Sequence, residues 1–449
     1  MDALFLFLMP IRAAPSDGIP STIEPMSADL LSFDEAATLV ARYARELSQR
    51  QAATERVDLA DAHGRVLARA LKADADQPPF GRSTRDGFAC RAAEISAYED
   101  LPIAGTTHAG EAPGGPLPGA SAWEIMTGAP VPAGADAVVM VEHVERNGAQ
   151  VRMLGSRTIK AGGNIVAQGA QARLGDLIVA RGAVMGAAQI AVAATCGYST
   201  VEVYVRPRVA ILTTGDELVA VDADPGPGKI RNSNAPMLAA LVDAAGGVPW
   251  VQPTAADTAE ALDTRLKQAM NADLLLISGG VSAGKFDLVE PALARLGATF
   301  HFTGVRMQPG KPLVFGAVLR APAFEQGAER EHELPFFGLP GNPISSAATF
   351  LLFAAPVLAA LAGRREFGPR FHSARLTQAT DRNARTGLTR FLPAVGEFDP
   401  TVSDLPQVKA VDWHGSGDLP AFARSNCFLV VPDDVSSLDA GAEVRILMH

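Results

Sequence analysis

Between Ser278 and Pro343 the chain carries three glycine-rich turns in succession: Ser278-Gly279-Gly280-Val281-Ser282-Ala283-Gly284-Lys285-Phe286-Asp287, then Pro309-Gly310-Lys311-Pro312, then Leu339-Pro340-Gly341-Asn342-Pro343. The first follows Leu274-Leu275-Leu276-Ile277, an apolar run with the texture of a buried strand. The third opens a long apolar helical run. Glycines at a strand's carboxyl end let backbone N–H groups approach a phosphate closely. A helix that starts at Asn342 with Pro343 in its first position directs unpaired N–H groups and a positive dipole end into the same space. This pattern suits a phosphorylated ligand held at the edge of a parallel sheet.

The flanking sequence extends that reading. Ser32-Phe33-Asp34-Glu35 is a capping box, and Leu39, Val40, Tyr43 and Leu47 follow at helical spacing. From about residue 72 to 175 glycine and proline become dense, and short β-type runs such as Ala137-Val138-Val139-Met140-Val141 alternate with turns, as in an all-β module. A helical pattern returns over 182–197. Arg206-Pro207-Arg208 marks a boundary, after which Val209-Ala210-Ile211-Leu212 reads as a parallel-type strand ending in Thr213-Thr214-Gly215-Asp216-Glu217. Helical segments are expected from Asn234 and over 263–270, giving an open sheet with its ligand beyond the strand ends. Residues 321–333 read as a solvated loop. Beyond Gly363 short β runs close the chain as a small barrel or sandwich. Residues 344–363 lack charge and are long enough to cross a bilayer, but Ser345, Ser346, Thr349 and Pro356 mark them as a buried helix.

Composition excludes several partners. A net charge of −10 argues against nucleic acid and anionic membranes, both of which select a basic face. Three distant cysteines, Cys90, Cys196 and Cys427, make neither a disulfide framework nor a zinc pair and fit a reducing, cytoplasmic setting. The first 30 residues read as a disordered tail, or as sequence upstream of a start at Met26.

Five motifs in order carry a family resemblance: Ser83-Thr84-Arg85-Asp86-Gly87-Phe88-Ala89, Met126-Thr127-Gly128-Ala129-Pro130-Val131-Pro132, Thr214-Gly215-Asp216-Glu217, Gly279-Gly280-Val281-Ser282-Ala283-Gly284 with Asp287, and Pro340-Gly341-Asn342-Pro343. From about residue 31 onward the chain resembles the molybdopterin molybdenumtransferases of the MoeA and gephyrin E-domain type. The resemblance implies a multidomain α/β plus β fold. Its parts are a helical platform (31–71 and 176–205), an inserted β-rich lid (72–175), an α/β molybdopterin-binding domain (206–365) and a C-terminal β-barrel (366–449). It also implies a homodimer whose cleft joins the α/β domain of one subunit to the lid of the other. The implied reaction takes adenylylated molybdopterin and molybdate, inserts molybdenum and releases AMP with magnesium. Transient contacts with the molybdopterin adenylyltransferase and with recipient molybdoenzymes are implied as well.

On that resemblance Asp86, Glu217, Asp257 and Asp287 are the candidate catalytic acids, and Glu217, Asp287 and Asp216 the candidate magnesium ligands, since magnesium takes oxygen donors and bridges substrate phosphate. Asp216 and Asp257 also read as simple caps, and Asp86 as a turn aspartate. The ligand-binding set is Thr127, Thr214, Gly215, Asp216, Gly279, Gly280, Ser282, Lys311, Pro340, Gly341, Asn342, Pro343 and Ser416. Thr127 is expected to reach the other subunit's substrate, and Pro340 and Pro343 to shape the loop. Arg82 and Arg85 flank Asp86. Many relatives carry lysines where this chain has Gly304 and Gln308, so Lys229, Arg231, Lys285 and Arg306 are the cations available to replace them. Two other readings stay open: a molybdopterin adenylyltransferase, which needs only the α/β domain, and a catalytically weak pterin-binding scaffold. Molybdate and tungstate are not distinguished.

Overall fold

The computed structural model describes residues 30–50, 52–95, 99–280, 288–320, 323–325, 328–330, 333–380, 386–398 and 404–449. Its central layer is a six-stranded sheet in the order Val248–Val251, Arg208–Thr213, Leu274–Ser278, Glu333–Leu339, Val314–Leu319, Ala298–Phe302. The first four strands run parallel, Val314–Leu319 runs opposite to them, and Ala298–Phe302 pairs antiparallel with it at the edge. The runs Val209–Leu212 and Leu274–Ile277 are almost wholly buried because helices cover both faces, which is why they read as continuous rather than alternating apolar sequence. Val209, Ile211, Leu274 and Leu276 face one core, with Leu238 and Val242 of helix Asn234–Ala244. Ala210, Leu212, Leu275 and Ile277 face the other, with Leu262 and Leu266 of helix Ala259–Ala269 and Leu293 of helix Val289–Arg295.

The capping-box helix Phe33–Ser48 buries Phe33, Ala36, Leu39, Val40, Tyr43, Ala44 and Leu47. That stripe joins the first core and packs beside helix Ala355–Leu361. The helical run Pro343–Leu361 spans 19 residues, and 83% of its most apolar window is buried, as a core helix requires. A π turn at Phe350–Ala354 precedes Pro356. Proline lacks the N–H of a regular helix and clashes with the carbonyl four residues back, and the wider turn accommodates both.

Residues 72–175 form a separate six-stranded sheet, Ala137–Met140, Gly87–Cys90, Ala122–Ile125, Leu101–Thr107, Gln150–Met153 and Val144–Asn147, around its own core of Phe88, Val139 and Val151. Strand Thr54–Asp58 pairs with Thr200–Tyr204, and Leu71–Lys72 with Leu177–Val179, so the chain leaves for that sheet and returns through adjacent strands. At the C-terminus Thr389–Glu397, Gln407–Ala410, Phe371–Leu376, Glu443–Met448 and Cys427–Val431 pair in a ring that closes on itself, a five-stranded barrel. The expected class, α/β plus β with a barrel at the end, is the one observed.

One expectation is corrected. Residues 321–333 are not a plain loop: Ala323–Glu325 pairs antiparallel with Ala328–Arg330, and Glu333 already belongs to the next strand. The flanking strands Val314–Leu319 and Glu333–Leu339 are themselves antiparallel neighbours, paired as far as Leu319 with Glu333.

Candidate functional site

The parallel strands end in a cleft of about 1430 Å³ between the sheet and the barrel. Thr214, Gly215, Glu217, Asp257, Gly279, Gly280, Lys311, Pro340, Gly341, Asn342, Pro343 and Ser416 line it. Three of the expected motifs thus converge on one space. Neighbouring strands Arg208–Thr213 and Leu274–Ser278 run parallel in register, Thr213 beside Ser278, so their terminal turns emerge together. Thr214 N–H donates to Ser278 O at 3.1 Å, and Gly279 N–H donates to Leu339 O at 3.2 Å.

Close approach explains the glycines. Gly279 has φ +96°, and a Cβ there would sit 2.5 Å from Thr214 O. At Gly280, with φ +65°, it would sit 2.9 Å from Thr214 Oγ1. Both positions require left-handed backbone and leave no room for a side chain.

The helix start departs from expectation. Asn342 is the N-cap residue, yet its side chain makes no cap bond. Its Nδ2 donates across the cleft to Ser416 Oγ at 2.8 Å. Ile344 N–H, expected to be unpaired, donates to Ser416 O at 3.0 Å. The barrel turn around Ser416 therefore occupies one of the helix's first donors. The N–H groups of Gly280, Gly341, Asn342 and Ser345 carry no hydrogen bond among the described residues. All four residues line the cleft.

The acids separate into groups. Glu217 and Asp257 line the cleft, and Asp216 does not. Asp216 and Asp257 bond reciprocally: Asp257 N–H donates to Asp216 Oδ1 at 3.1 Å, and Asp216 N–H to Asp257 Oδ2 at 3.2 Å. Neither caps a helix; Thr258 takes that role for Ala259–Ala269 by accepting from Ala261 N–H. Ser282 and Asp287 lie outside the described residues. Among the described residues no three His, Cys, Asp or Glu side chains gather as a metal site.

Asp86 and Thr127 meet each other but not this cleft. Thr127 N–H and Oγ donate to Asp86 Oδ1 at 2.6 and 2.8 Å. The backbone bond and then the hydroxyl bond hold the Asp86 carboxyl below its usual range. Of the cations proposed to replace missing lysines, Arg231 lines the cleft beside Gln308, its Nε tied to Ala223 O at 3.0 Å. Lys229 donates to Asp216 O at 2.6 Å, and Arg306 faces Glu35 at 3.8 Å. Lys285 lies outside the described residues.

A polar cluster in the cleft wall was missed from sequence: Asn234 is half-buried and lines the cleft with Ser278, and Ser346 is buried beneath them. Asn234 Nδ2 donates to Ser278 Oγ at 2.8 Å and to Gly341 O at 2.7 Å. Ser346 Oγ donates to Pro340 O at 2.6 Å and lies 3.2 Å from Ser278 Oγ. The available signal was polarity out of place: Ser278 ends an apolar strand, and Ser345-Ser346 interrupts an apolar helix. Trp413, which lines the barrel side, offered no such signal.

The comparisons agree along the whole length. Residues 31–197 match the MoeA N-terminal region (domain I and II), 210–360 a probable molybdopterin binding domain, and 375–448 the MoeA C-terminal region (domain IV). A molybdopterin molybdenumtransferase of Nostoc sp. is 32% identical over 443 residues, covering 95% of this chain and 96% of the relative. One of Bacillus subtilis is 32% identical over 435 residues, covering 93% and 94%. A crystal structure of the molybdopterin biosynthesis moeA protein from Pyrococcus horikoshii OT3 matches with TM-score 0.75 at 27% identity, covering 94% of this chain and all of that one. With three family regions in order and a third of its residues shared end to end, the chain belongs to the molybdopterin molybdenumtransferase (MoeA) family, transferases of molybdenum cofactor biosynthesis.

Proposed function

We propose that the chain transfers molybdenum from molybdate to adenylylated molybdopterin and releases AMP, as a cytoplasmic homodimer. The observation that carries this reading is the cleft wall, where the N–H groups of Gly280, Gly341, Asn342 and Ser345, without a partner among the described residues, share the lining with two cations, Lys311 and Arg231, and two carboxylates, Glu217 and Asp257. A polyanionic substrate needs the donors and cations. The bond between the AMP phosphate and the pterin phosphate breaks as water adds across it, which needs charge compensation at both phosphates.

The donor set fits magnesium, which binds through one or two carboxylates plus substrate phosphate oxygens. Glu217, Asp216 and Asp287 are the residues that would hold it: Glu217 lines the cleft, Asp216 is tied to Asp257 beside it, and Asp287 lies outside the described residues. When bound, magnesium supplies charge neutralisation and polarisation of phosphate oxygens. The chain's own groups do the positioning. Lys311 adds a point charge on a loop pinned by the Val305 N–H to Lys311 O bond of 3.0 Å. Thr214, Gly215, Gly279 and Gly280 form the turn against which phosphate rests. Pro340 and Pro343 stiffen the turn between them. Asp86 and Thr127, absent from this chain's own cleft, would serve the partner subunit's cleft at the molybdate end. Hand-over of substrate and product implies passing contact with the adenylyltransferase and with recipient molybdoenzymes.

The test is AMP release from adenylylated molybdopterin with and without molybdate, followed by activation of an apo-molybdoenzyme. Release that requires molybdate and falls at least about tenfold in Glu217→Ala and Lys311→Ala is expected, as for loss of a charge-assisted contact. Tight binding without release would leave a pterin-binding scaffold in its place.

A further inference from the structure

We propose that Asn234 and Ser346 are positioning residues that orient the two peptide units of the Pro340-Gly341-Asn342 turn so that their N–H groups hold a phosphate oxygen of the ligand. The inference rests on the phosphate-binding role of the cleft and adds which residues create it.

A trans peptide is planar, with C=O and N–H pointing in opposite directions, so fixing one fixes the other. The Pro340 carbonyl and the Gly341 N–H belong to one such unit. That carbonyl is turned inward, accepting from Ser346 Oγ at 2.6 Å, with Ser278 Oγ at 3.5 Å. Both serines are buried, at 0% and 2% exposure, so the Gly341 N–H points away from the interior. The Gly341 carbonyl and the Asn342 N–H form the next unit. That carbonyl accepts at 2.7 Å from Nδ2 of Asn234, a half-buried residue of the cleft wall, so the Asn342 N–H points away from Asn234. Gly341 and Asn342 are exposed and line the cleft, and neither N–H has a partner among the described residues.

The amide of Asn234 bears the consequence. Both protons of Nδ2 are committed, to Ser278 Oγ and Gly341 O, while Oδ1 is buried with no partner among the described residues. An unsatisfied buried acceptor is costly, and rotating the amide would only set Oδ1 against the Gly341 carbonyl. The arrangement is explained when the Gly341 carbonyl must be held back for the sake of the N–H on its other side. An aspartate here would act in the opposite sense. Its carboxylate would repel the Gly341 carbonyl and accept the Asn342 N–H, turning a carbonyl toward the ligand.

The experiment titrates the full-length protein with AMP and, in a separate anoxic arm, with molybdopterin. Adenosine and phosphatase-treated molybdopterin serve as phosphate-free counterparts. In the arm whose phosphate occupies the turn, Asn234→Ala and Ser346→Ala each weaken binding about tenfold or more, and Asn234→Asp weakens it further, as expected for lost hydrogen bonds to a charged oxygen. Binding of the phosphate-free counterpart stays within about twofold, a selectivity that general loosening of the fold would not give. The losing arm identifies whether the nucleotide or the pterin supplies the phosphate. Equal losses for the charged and the phosphate-free ligand would overturn the inference, as would unchanged phosphate binding in folded Asn234→Asp. Failure of the unaltered protein to bind either phosphate would overturn both this inference and the function on which it rests.

Discussion

Asp86 illustrates how one side chain serves structure before chemistry. Its Oδ1 ties the 83–89 turn to the 126–132 turn through Thr127, leaving Oδ2 without a bond to Thr127. A carboxylate held below its usual pKa contributes stability above the ordinary carboxylate range and loses it as pH falls through its lowered value. Thr127→Val, which removes the hydroxyl donor, is therefore expected to destabilise the protein at neutral pH. The difference from the unaltered protein should disappear in acid, once Asp86 is protonated, and thermal unfolding across that range measures it. At this scale the sequence was informative where a residue type is chemically unusual for its neighbours. The glycines at 279 and 280 declared a close backbone approach. Asn234 read only as the start of a helix, because its further importance comes from a carbonyl more than a hundred residues away. The reciprocal bonds of Asp216 and Asp257 were hidden for the same reason.

At the scale of elements, the contact between helix Phe33–Ser48 and strand Ala298–Phe302 contains a titratable group in an apolar joint. His301 is 7% exposed and packs against Tyr43 and Phe315 at ring-centroid distances of 5.3 and 4.9 Å. Neither ring nitrogen has a hydrogen-bond partner among the described residues. Burial lowers its pKa, Glu333 opposes that, and Arg42 adds to it. A histidine buried neutral leaves stability intact above its ordinary pKa and erodes it as pH falls below. Thermal unfolding at about pH 7.5 and about pH 5.5 should show a larger loss for the unaltered protein than for His301→Phe, which keeps a ring but cannot take a proton. Elements with one dominant periodicity were legible: the capping box and its stripe gave the first helix, and the apolar runs gave the parallel strands. The strand pair Ala323–Glu325 with Ala328–Arg330 was not, since each strand is only three residues long and charged residues interrupt its apolar pattern. Nor was the π turn at Phe350–Ala354, which appears only once Pro356 must be fitted inside a buried helix.

For the molecule as a whole, charge and function pull against each other. The chain carries −10, yet its ligand is proposed to be a polyanion. Lys311 and Arg231 act locally in the cleft, whereas the net charge repels the ligand over longer range. Raising salt from about 20 to about 200 mM shortens the screening length from about 20 Å to about 7 Å, which confines the field to the nearest charges. Association of AMP or molybdopterin should then accelerate by severalfold, which stopped-flow binding would detect; slower association would mean that the local cations dominate the approach. The family and the α/β plus β class were legible from five spaced motifs. How the parts are joined was not, because contacts across several hundred residues leave no local pattern.

One such joint has a consequence for how the chain is made. Leu31–Ser32 pairs with Val305–Arg306, and Met307–Gln308 pairs with Thr389–Arg390, while the ring of Phe33 meets Phe391 at 5.1 Å. Helix Phe33–Ser48 thus meets its native neighbours, helix Ala355–Leu361 and Phe391 among them, only after an interval in which most of the chain is made. At roughly 5–20 residues per second that interval is tens of seconds. Throughout it the apolar stripe of Phe33, Val40 and Leu47 has no native surface to cover it, so a nascent chain of this protein is a natural client for chaperones during its own translation.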